Sequence, residues 1–181
     1  MAIEKTADLA HFLVGKKLTS INLYNENDHF FVFQPKKLAL IDGGIELGFD
    51  KEIISLAWNE KEELFDIAMS PADGLLGSLD YYQISTKDLP IGSDLQGLTI
   101  KSANVQWSWY QNVDENFEPI GEKQYIPIEL IIEFDHGRVL QIATVDCNIE
   151  DGKIQSVSFN SEGELLLSVD TIFEITTHEA E

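Results

Sequence analysis

The first periodic stretch of the chain is helical. Ala7, Ala10 and Val14 recur at i, i+3 and i+7, and Leu9, Phe12 and Leu13 widen the apolar stripe. Thr6 and Asp8 suit the start of such a helix, where an oxygen caps orphan N–H groups and an acid meets the positive dipole end. Gly15 suits its end. The spacing predicts one short amphipathic helix over residues 3–14.

After Gly15 the period becomes two. Leu18, Ser20, Asn22 and Tyr24 alternate with Thr19, Ile21 and Leu23, as in a strand with unlike faces. Short β-rich runs follow at 29–33, 37–41, 44–49 and 53–58. Asp42-Gly43, with Gly44 beside it, reads as a hairpin turn between two of them. Glu60–Glu63 is a charged turn, after which Leu64, Ile67 and Met69 resume an apolar run. Residues 70–96 hold Ser70-Pro71-Ala72-Asp73-Gly74, Gly77, Pro90 and Gly92, and read as a connection with a short strand near Tyr81 to Ile84.

Strands then return. Ala103, Val105, Trp107 and Trp109 share one face, with Ser102, Asn104, Gln106 and Ser108 on the other. Residues 111–123 are polar and acidic and read as an exposed loop. Ile126, Ile128, Leu130, Ile132 and Phe134 alternate with Glu129, Ile131 and Glu133. Turns at Asp135-His136-Gly137, Asp151-Gly152 and Glu162-Gly163 lead into runs at 139–145, 154–159 and 165–175.

Some of these segments recur in order. Ile45-Glu46-Leu47 returns as Ile128-Glu129-Leu130, Phe49-Asp50 as Phe134-Asp135, and Ile53-Ile54-Ser55-Leu56-Ala57 as Val139-Leu140-Gln141-Ile142-Ala143. Leu18 to Asn22 resembles Leu98 to Asn104. The expected fold is therefore mainly β (α+β), within one compact domain over 1–181. A short N-terminal helix precedes two similar antiparallel strand-rich units, near 15–69 and 97–175, joined by 70–96. The units pack as a sandwich or form one continuous pseudo-twofold sheet.

Composition narrows the function. The chain has 181 residues, 44% hydrophobic and 24% charged, so it can bury a core. Its 12 Lys+Arg against 32 Asp+Glu give a net charge of −20. Arg138 is the single arginine, which speaks against nucleic acid and against an anionic membrane surface. The lone cysteine, Cys147, allows no intrachain disulfide and no thiolate metal cage, and suits a reducing compartment; its plain reading is a small buried hydrophobe. No signal peptide and no long apolar span is read from the sequence, so the expected location is cytoplasmic.

Candidate chemistry is sparse. His11, His29, His136 and His178 show no ligand spacing and read as structural or solvated. The run Asp146 to Gly152 approaches a calcium loop, but its glycine falls one position late and Val157 stands where a bidentate Glu belongs. Gly43-Gly44 lacks the Lys-Ser/Thr of a phosphate loop, and no Gly-x-Ser-x-Gly elbow occurs. No metal or cofactor is expected, and no catalytic residue is assigned. Glu129 and Glu133 bracket Ile131 on one polar face, either as an acid/base pair or, more simply, as a solvated patch.

The aromatics say more. Trp58, the Tyr81-Tyr82 pair, Trp107, Trp109 and Tyr110 are costly to expose, and core packing is the plain reading for Trp107 and Trp109. The sharper reading makes Trp109 and Tyr110, beside Asp114, Glu115 and Glu118, an interface anchor. Residues 1–90 carry 8 basic and 15 acidic side chains, net −7; residues 91–181 carry 4 and 17, net −13. A concentrated negative field favours a basic protein partner.

The run Leu13-Val14-Gly15-Lys16-Lys17-Leu18-Thr19-Ser20-Ile21, then Asp42-Gly43-Gly44-Ile45-Glu46-Leu47 and Ile53 to Trp58, resembles small bacterial proteins of the immunity type. The resemblance spans roughly the first 70 residues. It implies a stoichiometric inhibitor of a toxin, and it carries over no functional residue. The leading expectation is a non-enzymatic acidic protein that binds a basic, nuclease-like partner. Its candidate surface is Trp109, Tyr110, Asp114, Glu115, Glu118, Glu129 and Glu133. The alternatives are a small-ligand protein or enzyme with a pocket between the repeats, and a structural homo-oligomer subunit.

Overall fold

A computed structural model describes residues 9–26, 31–33, 37–84 and 91–177. The chain is mainly β, with two antiparallel sheets after a short N-terminal helix. Helix α1 covers residues 9–13 of the described chain, and residues 3–8 of the expected helix, with Thr6 and Asp8, lie outside it. Leu9 and Leu13, one turn apart, are its buried contacts. Val14, expected on the apolar stripe, is instead 49% exposed: the chain leaves the helix at Gly15, whose φ of 83° turns it away.

The first sheet runs β6-β5-β4-β1-β7. These strands are β1 (Ser20–Asn25), β4 (Gly44–Phe49), β5 (Glu52–Asn59), β6 (Leu64–Ala68) and β7 (Tyr82–Ile84). The second runs β2-β3-β12-β10-β9-β8, with β11 beside the far half of β10. Its members are β2 (Phe31–Phe33), β3 (Leu38–Ile41), β8 (Ile100–Val113), β9 (Pro119–Phe134), β10 (Val139–Glu150), β11 (Lys153–Phe159) and β12 (Glu164–Val169). His29, expected in a strand, lies outside the described residues.

Apolar faces of both sheets share one core. Ile21, Leu47, Ile54 and Phe65 from the first sheet meet Leu130, Leu140, Leu165 and Leu167 from the second. Phe49, Phe65 and Phe134 are fully buried, each worth about 2–3 kcal/mol of transfer free energy. The sheets are stitched at one corner by backbone bonds. Leu18 N–H donates to Leu98 C=O at 3.1 Å, Gly97 N–H to Leu18 C=O at 2.7 Å, and Ile100 N–H to Lys16 C=O at 2.9 Å.

Three expectations change. Asp42-Gly43 is a crossing, since β3 pairs with β12 and β2 whereas β4 pairs with β1 and β5. Glycine is required there, because a Cβ on Gly43 would sit 2.5 Å from the Tyr24 carbonyl oxygen. The loop expected over 111–123 is largely strand, belonging to β8 and β9. The last run ends as strand at Val169, and residues 171–177 form a strap that meets the sheet's ladder through a single parallel bridge, Thr176 to Ser158.

The two units share part of a pairing scheme. The order β6-β5-β4-β1 parallels β12-β10-β9-β8. Ile21 opposes Leu47, which opposes Ile54; Ala103 opposes Ile132, which opposes Leu140. This register sets Leu47 against Ile132, not against Leu130 as the sequence match does. A duplication is not established: β2 and β3 leave the first unit for the other sheet, and β11 has no counterpart.

Each sheet also has a covered outer face. On the first, helix α2 (Asp73–Leu76) places Ala72 and Leu76 against Ala57, with Tyr24 and Tyr81 alongside. Glu46 is buried there, accepting from Asn22 Nδ2 at 2.8 Å and from Ala72 N–H at 3.1 Å, with the Tyr24 hydroxyl as a further partner. Burial first, and the Glu46 charge second, push the Tyr24 hydroxyl up to about 12. On the second sheet, Phe173 and Ile175 of the strap cover Leu40, Ala143, Val145, Val157 and Leu166.

Candidate functional site

The second sheet ends in an arm. β10 pairs with β9 only between Glu129 and Glu133, whereas β9 continues to pair with β8 back to Pro119. Pro127 marks the root. It has no N–H to extend the ladder, and its carbonyl accepts the Thr144 hydroxyl at 2.9 Å. Trp107 opposes Pro127 while Gln106 opposes Glu129, so Ile128 is an extra residue that bends the pair. Beyond it, residues 119–125 are all exposed.

The tip is an ordered turn. Asp114 N–H donates to Glu118 C=O at 2.9 Å, and Phe117 N–H to Asp114 C=O at 3.1 Å. The Asp114 carboxylate accepts from the N–H groups of Asn116 at 2.8 Å and Glu118 at 3.0 Å. Those bonds, the one from Glu118 first, hold its carboxyl below the usual range. Phe117 occupies the left-handed position that a glycine ordinarily takes, with φ 64°, and is 84% exposed. Glu115 and Glu118 are exposed beside it.

Behind the tip, Trp109 stands directly across from Tyr125. The Lys123 ammonium lies 3.4 Å from the centre of the Trp109 ring, a cation–π contact on an indole that is still 51% exposed. Val113 and Ile120 are also half exposed. Trp107 is half-buried against the core, with its indole N–H buried and without a partner among the described residues.

The structure thus divides the sequence-derived surface. Trp109, Tyr110, Asp114, Glu115 and Glu118 fall on the arm and its tip, with Tyr110 half-buried opposite Gln124. Glu129 and Glu133 sit at the root, on the outer face of the second sheet. Glu129 is half-buried and accepts from Gln141 Nε2 at 2.8 Å; Glu133 accepts from the Ser102 hydroxyl at 2.9 Å. Sequence reasoning missed Phe117, Lys123 and Tyr125, because a polar run with no glycine at the turn hid the hairpin.

Elsewhere, a groove of about 370 Å³ lies among Trp58, Glu60, Glu63, Leu79 and Glu162, and one of about 380 Å³ among Phe12, Glu52, Ile53 and Met69. Only the first draws on both units, through Glu162. Cys147 is half-buried in the outer cluster, where burial above all, with Glu164 and Asp146, pushes its thiol up to about 12. His11 and His136 are exposed; His29 and His178 lie outside the described residues. Residues 146–157 form the β10–β11 hairpin, not a metal loop. Among the described residues no group of three or more His, Cys, Asp or Glu could hold a metal ion, and no helix is long and apolar enough to cross a membrane.

No family model, curated protein or solved structure matches the chain.

Proposed function

We propose that the chain is a non-enzymatic binding protein that neutralises a basic protein, as the immunity-type proteins it resembles do. The arm is its working surface. The observation that carries this reading is the joint exposure of Trp109, Tyr125 and Phe117 on an arm that ends in a hydrogen-bonded acidic turn. Exposed aromatic area of this kind is what interface anchors use, and flanking carboxylates steer a cationic partner. The Trp109 ring holds one ammonium group, that of Lys123, and a lysine or arginine of a partner would displace it from that face.

The test is capture from native cell extract at low and high salt, with wild type and Trp109→Ala. The reading expects a basic protein retained at low salt, weakened at high salt and lost with Trp109→Ala. Recovery of no basic protein at either salt, or equal recovery by the variant, refutes it.

A further inference from the structure

We infer that β8 pairs edge to edge with β8 of a second copy of the chain. Sheet edges invite further strands because alternate residues present free N–H and C=O groups. Most edges in this protein are short or charged. β2 and β7 have three residues each, β6 carries Asp66 and β11 carries Lys153.

The β8 edge differs. The strand has 14 residues, and among the described residues its ladder partner is β9 alone. Between Ser102 and Val113 it contains no charged residue, proline or glycine, in a chain of net charge −20. Charge, proline and glycine, which keep such an edge from pairing, are missing along it; the bulge that bends the ladder there lies on β9, at Ile128, rather than on the outer edge of β8.

The flanks indicate which occupant fits. Lys101 stands at the root end and Asp114 and Glu115 at the tip end, all outside the uncharged segment. Antiparallel pairing about a twofold axis lays each uncharged stretch along the other. It also brings Lys101 of each copy beside the acidic tip of its mate. The ends are therefore complementary to themselves. This pairing uses the backbone edge and leaves the aromatic face of the arm open, although it engages the acidic tip that the binding reading above also uses.

Sedimentation equilibrium combined with amide hydrogen exchange at two protein concentrations tests the inference. The expected result is a dimer whose amides between residues 102 and 110 exchange more slowly as concentration rises. Lys101→Glu is expected to raise the dissociation constant about tenfold, since two symmetry-related ion pairs become repulsions. Adding Glu115→Lys to it should restore the dimer, which a folding defect would not allow. A monomer at every concentration up to about 1 mM, or a dimer whose β8 amides exchange at the monomer rate, overturns the inference. Neither result bears on capture of a basic protein, which is read separately.

Discussion

The side-chain amide of Gln141 holds the backbone of Phe173 as a neighbouring strand would. Its Oε1 accepts the Phe173 N–H at 2.8 Å, and its Nε2 donates to the Phe173 C=O at 2.8 Å. The Glu129 carboxylate takes the second Nε2 hydrogen at 2.8 Å and so fixes which end of the amide faces which group. Gln141 is fully buried. These bonds attach the 171–177 strap, whose Phe173 and Ile175 cover the outer apolar cluster. Gln141→Leu keeps the volume but strands three polar groups, and is expected to cost about 2–4 kcal/mol. Urea unfolding measures it, and proteolysis within 171–177 should quicken. Wild-type stability in the variant would show that the amide does not hold the strap.

Glu164 is a carboxylate in the wrong place for stability. Burial raises its pKa first, and Asp42 and Asp146 raise it further. A group whose folded pKa lies above its unfolded value near 4.3 contributes fully at lower pH, and that contribution is lost as pH climbs past the folded pKa. The ionised form therefore destabilises the protein at pH 7. Glu164→Gln mimics the protonated state and is expected to stabilise by about 1 kcal/mol at pH 7, with no gain below about pH 4. Thermal unfolding across that range reads both numbers. A gain independent of pH would point to packing instead.

What the sequence made legible divides along physical lines. Alternation at Leu130, Ile132 and Phe134 is a local signal, and the core face followed from it. The destination of β3 was not local. Asp42-Gly43 carries the residues of a hairpin turn, yet Leu40 and Ile41 find their ladder in β12, more than a hundred residues away. Register was likewise set by pairing: Leu47 resembles Leu130 in its neighbours but corresponds to Ile132 in the ladder. At the candidate site, Trp109 and Tyr110 were visible because aromatics stand out. Phe117 was not, because its turn is built from the Asp114 side chain rather than from glycine. Glu129 read as surface charge, while its partner Gln141 gives it a structural task.

Arg138 ties separate segments through two acids. Its Nη2 meets Asp94 at 2.6 Å and its Nε meets Asp170 at 2.7 Å, and Asp170 also takes Lys37 Nζ at 2.5 Å. Arg138 above all, with Lys37 and the Val139 N–H adding to it, holds the Asp170 carboxyl down at about 2. Its folded pKa lies below the unfolded value near 3.9, so its contribution is present above that value and lost as pH falls toward about 2. Asp170 is partly exposed, which screens the pair and limits the effect. Asp170→Asn is expected to destabilise by about 1 kcal/mol at pH 7 and to converge on wild type near pH 2. A deficit that persists undiminished in acid would assign the loss to hydrogen bonding rather than charge.

Phe117 sets stability against binding at a single position. Its left-handed backbone, at φ 64°, is a conformation that costs a non-glycine residue about 1 kcal/mol, and its ring is 84% exposed. The backbone bonds of the turn hold that conformation, but the ring itself contributes nothing against the cost, because it has no core to fill. Phe117→Gly removes the strain and the ring together. The unfolded chain gains entropy from the new glycine, which offsets part of the benefit. The expected outcome is a variant at least as stable as wild type that retains the basic partner about tenfold less well, the loss of one exposed aromatic anchor. Thermal unfolding and the same capture experiment read the two effects on one sample. A variant that binds as wild type does would remove Phe117 from the working surface, and one that unfolds more easily would show the ring to be part of the tip's own packing.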